Sequence, residues 1–409
     1  MRRPNTEQTP RPLGSGRSRQ SDQLVADLAR LSSEHTAAEA GREHSRRLAS
    51  VVDEAVRSVV AGHTPVGWAV VAVGGYGRRE LCPRSDVDVV FLCARRDQGS
   101  QRLANALFYC FWDAGLDCSP SVRTVAESVE LADDDLATMT SFLTMRQVAG
   151  DPDLALDVSR RLLAVARRKG GLPLARRLRH ERDDRLARAA DALYGLEPNL
   201  KDGRGGLRDL HELVWTAEVA LGTSALAEMA RLGYLGLDEV SHLEAAADFL
   251  LAVRNRLHYL TGRRVDRVHF AYQEDIARFL GYNGASGTDP VVLLMRDFHA
   301  HADRLARAAD GFWEHLARDL SAPDEGLATR IGRRLGAVDR SRRAPTVSDG
   351  VLPPSPDAAP ATPASVLALL GDAGRSGVRM GHDFVRNARS ALAASGTPFI
   401  WTPREGEAL

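Results

Sequence analysis

The stretch VGWAVVAVGGYGRRELCPRSDVDVVFLC, residues 66–93, joins an apolar run, a glycine turn and two closely spaced aspartates. Residues 68–72 are apolar and valine-rich, and the run stops at Gly74 and Gly75. This pattern predicts a buried strand that ends in a tight turn. Glycine in such a turn lets backbone N–H groups approach a phosphate, because no Cβ stands in the way.

The residues after the glycines, 76–81, are predicted to begin a helix whose free N-terminal amides suit an anion. Arg78 or Arg79 would add charge-assisted hydrogen bonds to the same anion. Tyr76, Arg78 and Ser85 are therefore candidate nucleotide-binding residues alongside the two glycines.

A second strand is predicted from Ser85 through residue 92, with Asp86 and Asp88 near its start. Residues two apart in a strand share a face, so these side chains lie roughly 6.5–7 Å apart along the chain. Mg²⁺ binds a few carboxylates and completes its shell with water and phosphate oxygens, which suits a two-metal site acting on a nucleoside triphosphate. A lone Gly-Gly is usually only a turn, and a lone Asp-x-Asp is more often surface charge. Their combination in this order predicts nucleotidyl transfer, with Asp86 and Asp88 as catalytic metal ligands.

Composition narrows the class of protein and its partners. The 409 residues leave room for two or three domains, and Lys+Arg and Asp+Glu both number 54. This balance gives no global basic field, which disfavours polymeric nucleic acid as a partner. Without a long apolar segment or a secretory signal, we expect a cytoplasmic protein that does not contact membranes. The four cysteines have no paired spacing, so we expect buried free thiols.

The periodicity predicts an α+β chain in which a nucleotidyltransferase core is followed by an all-α helical domain. We expect a disordered tail, a core domain with N-terminal helices, a helical domain, a flexible Pro/Ala-rich linker and a short helical C-terminal remnant. These segments are 1–20, 21–150, 151–320, 321–364 and 365–409.

Within this plan, a helix is predicted over residues 102–111 and a strand over 116–124. In this class of site a third carboxylate commonly comes from such a strand, and Asp117 is the catalytic candidate. The alternative is that Asp117 is a solvent-facing strand acid. Further helices are predicted at 131–149 and 153–190, among others.

A glycine-rich loop, LEPNLKDGRGGLRDL at residues 196–210, interrupts the helical pattern, and a helix is predicted to start at Leu207. Lysine occurs only at Lys169 and Lys201 in this arginine-rich chain, so Lys201 is a candidate for nucleotide binding. The loop either clamps a triphosphate or is an ordinary turn between helices.

Arg254 and His258 are four residues apart and share one face of the helix predicted over 237–262, with Asn255 close by. Their spacing brings them close together on the helix surface. They either contact a nucleotide or partner, or form a solvated face.

Four motifs resemble the bacterial PII uridylyltransferase/uridylyl-removing enzyme family: GGYGRRELCPRSDVDVVFL, EPNLKDGRGGLRDLHELVW, RNRLHYLTGRRVDRVHF and QEDIARFLGY. The resemblance runs from about residue 22 to 320, with weaker similarity to about residue 397. It implies a polymerase-β-like core, a small mixed sheet with helices, followed by a helical domain. The implied activity is Mg²⁺-dependent transfer of a nucleotidyl group, usually from UTP, to a tyrosine of the PII signal protein, with release of pyrophosphate. Some relatives from GC-rich bacteria are associated with adenylylation, which leaves ATP open as the donor.

Carried over residue by residue, the resemblance matches Asp86 and Asp88 to the family's metal-binding pair. It matches Gly74 and Gly75 to the phosphate loop. Lys201 corresponds to the lysine of the second glycine-rich motif.

The sequence departs from the family in two respects. Ser119 and Pro120 stand where the family usually has a glycine or acid followed by histidine. The family also continues into an HD-type phosphohydrolase domain and paired ACT domains, and this sequence ends before both. The alternative expectation is therefore a catalytically impaired, truncated relative that acts as a nucleotide- or PII-binding regulatory module.

Overall fold

The computed structural model describes residues 17–188, 195–284, 287–321, 351–352 and 379–380. Most of the predicted tail, linker and C-terminal remnant lies outside these residues. The chain divides into two compact units, and the first contains the described residues of 1–168, 196–200 and 247–297. The second contains the described residues of 169–195, 201–246 and 298–409.

Helices predominate among the described residues, and the strands are short. In chain order the elements are α1 Arg19–Ser33, α2 Arg42–Val60, β1 Trp68–Ala72, α3 Gly74–Gly77, β2 Val89–Cys93, α4 Gln98–Asp113, β3 Val122–Arg123, α5 Val125–Asp134, α6 Leu136–Phe142, β4 Arg146–Gly150, α7 Pro152–Ala166, α8 Leu172–Arg188, α9 Leu207–Ala220, α10 Leu226–Arg231, α11 Leu237–Thr261, α12 Phe270–Phe279, α13 Pro290–Ser321, β5 Val351–Leu352 and β6 Arg379–Met380. None of these helices is long and apolar enough to cross a membrane.

The sheet of the first unit has the strand order β3-β2-β1-β4. β1 pairs antiparallel with both β2 and β4, whereas β2 pairs parallel with β3, so the sheet is mixed. Every residue of β1 and β2 is buried, which explains why both sequences are continuous apolar runs without alternation. The small mixed sheet with many helices confirms the predicted α+β class.

The core of the first unit forms where α1, α2 and α4 pack with the sheet. α4 places Leu103, Leu107 and Phe111 on one buried face, as their spacing of four predicts. Trp68 of β1 stacks on Phe91 of β2, with ring centroids 5.9 Å apart. All four cysteines are free thiols, three of them buried.

β4 corrects the prediction of one helix over 131–149. α6 ends at Phe142, and the chain then pairs with β1 as a strand. Only Val148 is buried among the five residues of β4, so the strand has too little apolar character to be distinguished from the helical residues before it. The pairing with β1 is a tertiary contact that local periodicity does not encode.

The helix predicted over 153–190 is also wrong, because α7 and α8 are separate helices. Between them Lys169 and Gly170 have φ of +51° and +68°. This left-handed backbone is incompatible with a continuous right-handed helix.

Candidate functional site

The candidate metal ligands Asp86 and Asp88 lie in an extended segment directly before β2, so the predicted strand begins too early. Val73 N–H donates to the Asp88 carbonyl at 3.0 Å, and Val87 N–H donates to the Asp117 carbonyl at 2.7 Å. Val87 is buried, whereas Asp86 is half-buried and Asp88 is exposed. Because side chains alternate along extended backbone, the two aspartates leave the face opposite Val87.

Gly74 is the point at which the turn after β1 meets this segment. Its φ of +55° is left-handed. A Cβ at Gly74 would lie 2.5 Å from Asp88 Oδ2 and 3.3 Å from Asp88 Cγ. The Asp88 carboxylate therefore lies directly against the Gly74 backbone, and glycine leaves it this position.

The turn itself is the single helical turn α3, which corrects the prediction of a helix starting at Tyr76. It ends at Gly77, and Arg79 has a left-handed φ of +58°. Glu80 N–H turns back to the Gly75 carbonyl at 2.9 Å. A Cβ at Gly75 would find its nearest neighbour, the Glu80 carbonyl oxygen, at 3.9 Å, so a ligand can approach the backbone there. Phosphate binding by the Gly75 amide stays a prediction.

Tyr76 anchors the turn from inside the protein. Its side chain is fully buried, and its hydroxyl donates to Asp53 Oδ1 at 2.7 Å. Arg146 of β4 donates to both oxygens of Asp53 at 2.8 and 2.9 Å, and its guanidinium lies 5.3 Å from the Tyr76 ring centroid. Burial raises the pKa of Tyr76 well above its ordinary value. The side chain of Tyr76 is thus held inside the protein, and contact between this residue and a nucleotide stays a prediction.

Two other predicted nucleotide-binding residues have local partners. Arg78 Nε donates to Glu80 Oε2 at 2.7 Å, and both side chains are mostly buried. Ser85 Oγ accepts a hydrogen bond from Cys82 N–H at 3.3 Å within the turn before Asp86. Nucleotide contact by either residue stays a prediction.

Asp117 lies on the backbone next to the metal-ligand segment. The regular strand β3 is shorter than predicted. Phe91 N–H donates to the Ser121 carbonyl at 2.8 Å, and Val87 N–H donates to the Asp117 carbonyl. Both hydrogen bonds have the same separation in sequence between donor and acceptor. Continuing this register places Asp117 beside Asp86 in the extended sheet. Within the described residues, no group of three or more His, Cys, Asp or Glu is arranged to hold a metal ion. Asp117 is therefore a neighbour of the pair and is not gathered with it as a third ligand.

Arg264 is a site residue that sequence reasoning missed. It lies in the loop between α11 and α12, and its guanidinium forms an ion pair with Asp86 Oδ2. The two side chains are 44% and 46% exposed. The motif GRRVDR contains this arginine, but nothing local in the sequence indicates its partner.

The polar face of α11 is buried, so the solvated-face alternative is wrong. Arg254, Asn255 and His258 are 7%, 0% and 0% exposed. Asn255 Nδ2 donates to the Ala40 carbonyl at 2.8 Å. These side chains therefore hold the packing of the first unit together.

Arg254 and His258 support the turn that precedes Asp86. Arg254 donates to Asp266 Oδ1 at 2.7 Å and approaches Cys82 Sγ at 3.2 Å. Arg84 N–H donates to His258 Nδ1 at 3.2 Å. Burial lowers the pKa of His258, which keeps the ring neutral and Nδ1 available as an acceptor.

Lys201 lies in the second unit, in a loop fixed by its backbone. Arg208 N–H donates to the Lys201 carbonyl at 2.9 Å, and Arg185 Nη1 donates to the Asp202 carbonyl at 2.8 Å. α9 starts at Leu207, as predicted. Lys201 itself is half-buried, and a triphosphate contact stays a prediction.

A buried ion cluster holds this loop in place. Arg185 Nη2 donates to Asp209 Oδ1 at 2.5 Å and to Glu212 Oε2 at 2.7 Å. Asp209 also accepts from Gly205 N–H at 2.7 Å, which ties the glycines of the loop to α9. Burial raises the pKa of Glu212. Such a cluster fixes the loop only while all its charges are present.

The chain is similar to known uridylyltransferases. A family model described as GlnD PII-uridylyltransferase matches residues 174–313. A bifunctional uridylyltransferase/uridylyl-removing enzyme of Bradyrhizobium sp. is 33% identical over 325 residues, which covers 76% of this chain and 35% of that protein. The enzyme of the same name from Nitrobacter hamburgensis is 32% identical over 324 residues, with the same coverage of 76% and 35%.

The Caulobacter vibrioides enzyme of that name is 34% identical over 284 residues, or 66% of this chain and 30% of that protein. The chain thus spans about a third of the length of the curated relatives it matches. Since the family model and the relatives are all named uridylyltransferases, the chain is a partial relative of the bifunctional uridylyltransferase/uridylyl-removing enzymes.

Proposed function

We propose that the protein is a Mg²⁺-dependent nucleotidyltransferase that moves a uridylyl group from UTP to a tyrosine of a PII-type signal protein. One observation carries the proposal. Asp86 and Asp88 share a face of an extended segment held by backbone hydrogen bonds, and the Asp88 carboxylate lies against the Gly74 turn. These contacts support the proposal because a candidate phosphate-binding turn and two candidate metal-binding carboxylates are neighbours.

The donor set fits Mg²⁺. Two carboxylates that flank the buried Val87 offer hard oxygen ligands and leave the remaining positions to water and phosphate. Because position 74 is glycine, no Cβ occupies the space that the Asp88 carboxylate needs. When bound there, Mg²⁺ would neutralise phosphate charge and favour in-line displacement at the α-phosphorus.

The residues of the chain would bind and orient the substrates. The Gly75 backbone is open enough to approach the triphosphate. Nucleotide binding by Lys201, which lies in the second unit, stays a prediction. The acceptor tyrosine oxygen forms a bond to the α-phosphorus, and the bond from that phosphorus to pyrophosphate breaks. Asp117, next to Asp86 in the sheet register, would accept the proton of the tyrosine hydroxyl.

The identity of the substrates rests on the relatives. Their names specify uridylyl transfer, and the matching family model names PII as the acceptor. The charge balance of the chain, with 54 basic and 54 acidic residues, agrees with a protein acceptor better than with a nucleic acid. ATP is the second donor to be tested.

The test is label transfer from α-labelled UTP or ATP to a purified PII protein in the presence of Mg²⁺. We expect labelled PII with one of the two nucleotides, and loss of at least about 100-fold in rate for Asp88→Asn, which removes a ligand charge but keeps the side-chain size. Glu130→Gln, which neutralises an exposed carboxylate of α5, should behave as wild type. Tight UTP or ATP binding without transfer to PII would refute the proposal and support a nucleotide-binding regulatory module.

A further inference from the structure

The ion pair between Arg264 and Asp86 joins a cation to one of the two candidate metal ligands. Both side chains are about half exposed, and ion pairs of this kind contribute little to stability. A divalent cation that binds Asp86 would therefore displace the guanidinium with a loss of no more than about fivefold in cation affinity.

The backbone that carries Arg264 is held firmly in place. The carbonyl of Asp266, two residues further on, accepts from Leu200 N–H at 2.8 Å. The carboxylate of Asp266 accepts from the buried Arg254 at 2.7 Å. These bonds do not depend on the Arg264 side chain, so a displaced guanidinium stays within one side-chain length of Asp86.

We propose that Arg264 is a substrate-binding residue that exchanges the Asp86 carboxylate for the phosphates of a nucleoside triphosphate once a divalent cation has bound Asp86. This inference rests on the proposed function. The planar guanidinium of Arg264 can donate paired hydrogen bonds to phosphate oxygens as well as to a carboxylate. Placed beside the metal ligands, it adds positive charge where a triphosphate carries its greatest negative charge.

The opposing interpretation is a static ion pair that only attaches the loop to the segment before β2. The two interpretations differ in what the loss of Arg264 does to cation binding. For an exchanging residue, Arg264→Ala removes a competitor for Asp86 and leaves cation affinity unchanged or increased by up to about fivefold. For a static attachment, the same change loosens Asp86 and weakens cation binding.

The experiment measures Mn²⁺ affinity without nucleotide, by electron paramagnetic resonance, and UTP and ATP affinity with Mg²⁺, by calorimetry. The proteins are wild type, Arg264→Ala, Arg264→Lys and the matched control Arg263→Ala, which removes the exposed neighbouring arginine. We expect Arg264→Ala to bind the preferred triphosphate about 10–100-fold more weakly, with undiminished Mn²⁺ affinity and a Tm within about 2 °C of wild type. Arg264→Lys should recover part of the triphosphate affinity, and Arg263→Ala should behave as wild type.

Undiminished triphosphate affinity in Arg264→Ala would overturn the inference, and so would weaker Mn²⁺ binding. Failure of the proposed function gives a different pattern: wild type binds neither triphosphate, or binds one without transferring label to PII, or Asp88→Asn binds it equally well. If wild type binds the triphosphate and Asp88→Asn does not, an unaffected Arg264→Ala refutes the role of Arg264 alone.

Discussion

The variant Gly74→Ala tests whether the position of the Asp88 carboxylate matters for the reaction, separately from any loss of stability. The added Cβ would lie 2.5 Å from Asp88 Oδ2, so that oxygen must move by about 1 Å to reach an ordinary contact distance. The Asp88 carboxylate is the end of an exposed side chain, so this movement costs little folding energy. The main cost to stability is the left-handed φ of +55°, about 1–2 kcal/mol for a residue with a Cβ.

The matched control is Gly62→Ala. Gly62 has a φ of +80°, and a Cβ there would meet no atom within 4 Å, so the variant carries a similar backbone strain without the clash. Urea denaturation should therefore give both variants a similar loss in the free energy of unfolding, about 1–2 kcal/mol. The rate of label transfer should fall about 100-fold in Gly74→Ala only, because a 1 Å misplacement of a catalytic group has an effect of that size.

Two results would refute this reasoning. If Gly74→Ala transfers label within about threefold of Gly62→Ala, the position of Asp88 against the turn does not matter for the reaction. If Gly74→Ala is less stable than Gly62→Ala by more than about 3 kcal/mol, the carboxylate is held rigidly and does not move aside. Mn²⁺ affinity provides an independent measurement, since displacement of Asp88 should weaken it as well.

Three further predictions concern other parts of the chain. Burial lowers the pKa of His35 to about 4 and of His44 to about 3, from an ordinary 6.5, so the unfolded chain binds more protons below pH 6.5. Stability should therefore be constant above pH 7.5 and fall from pH 6.5 towards 4, by on the order of 2 kcal/mol at pH 5, as measured by urea denaturation. Lys201→Ala should raise the KM for the nucleotide at least about tenfold in the transfer assay, whereas Lys169→Ala, the chain's other lysine, should not. Arg185→Ala removes the cation that donates to two buried carboxylates, Asp209 and Glu212, and should lower the free energy of unfolding by about 3–5 kcal/mol in urea.

The sequence predicted those elements whose pattern is local. β1 is a continuous apolar run, α4 repeats its apolar residues every four positions, and Leu207 follows a glycine-rich break, so each was found from neighbouring residues alone. The same holds for the shared face of Asp86 and Asp88, which needs only extended backbone.

The missed features depend on contacts between distant residues. Arg264 lies 178 positions from Asp86, and Arg254 lies 172 positions from Cys82. A polar residue on a predicted helix is more often solvated than buried, so the sequence alone favoured the wrong interpretation for Arg254. Only the fold supplies the partners that offset the free-energy cost of its burial.

β4 shows why these distant contacts bear on the site. Arg146, from the strand that local periodicity missed, neutralises the buried Asp53, and Asp53 accepts the hydrogen bond of Tyr76. Tyr76 lies in the turn that starts with Gly74, and the backbone of Gly74 contacts the Asp88 carboxylate. A continuous series of contacts therefore runs from the edge strand of the sheet to a candidate metal ligand. Tyr76 of the GGYG motif anchors the turn in the protein interior. The glycines beside it therefore need no side chains of their own to hold the turn, and they leave its outer face open.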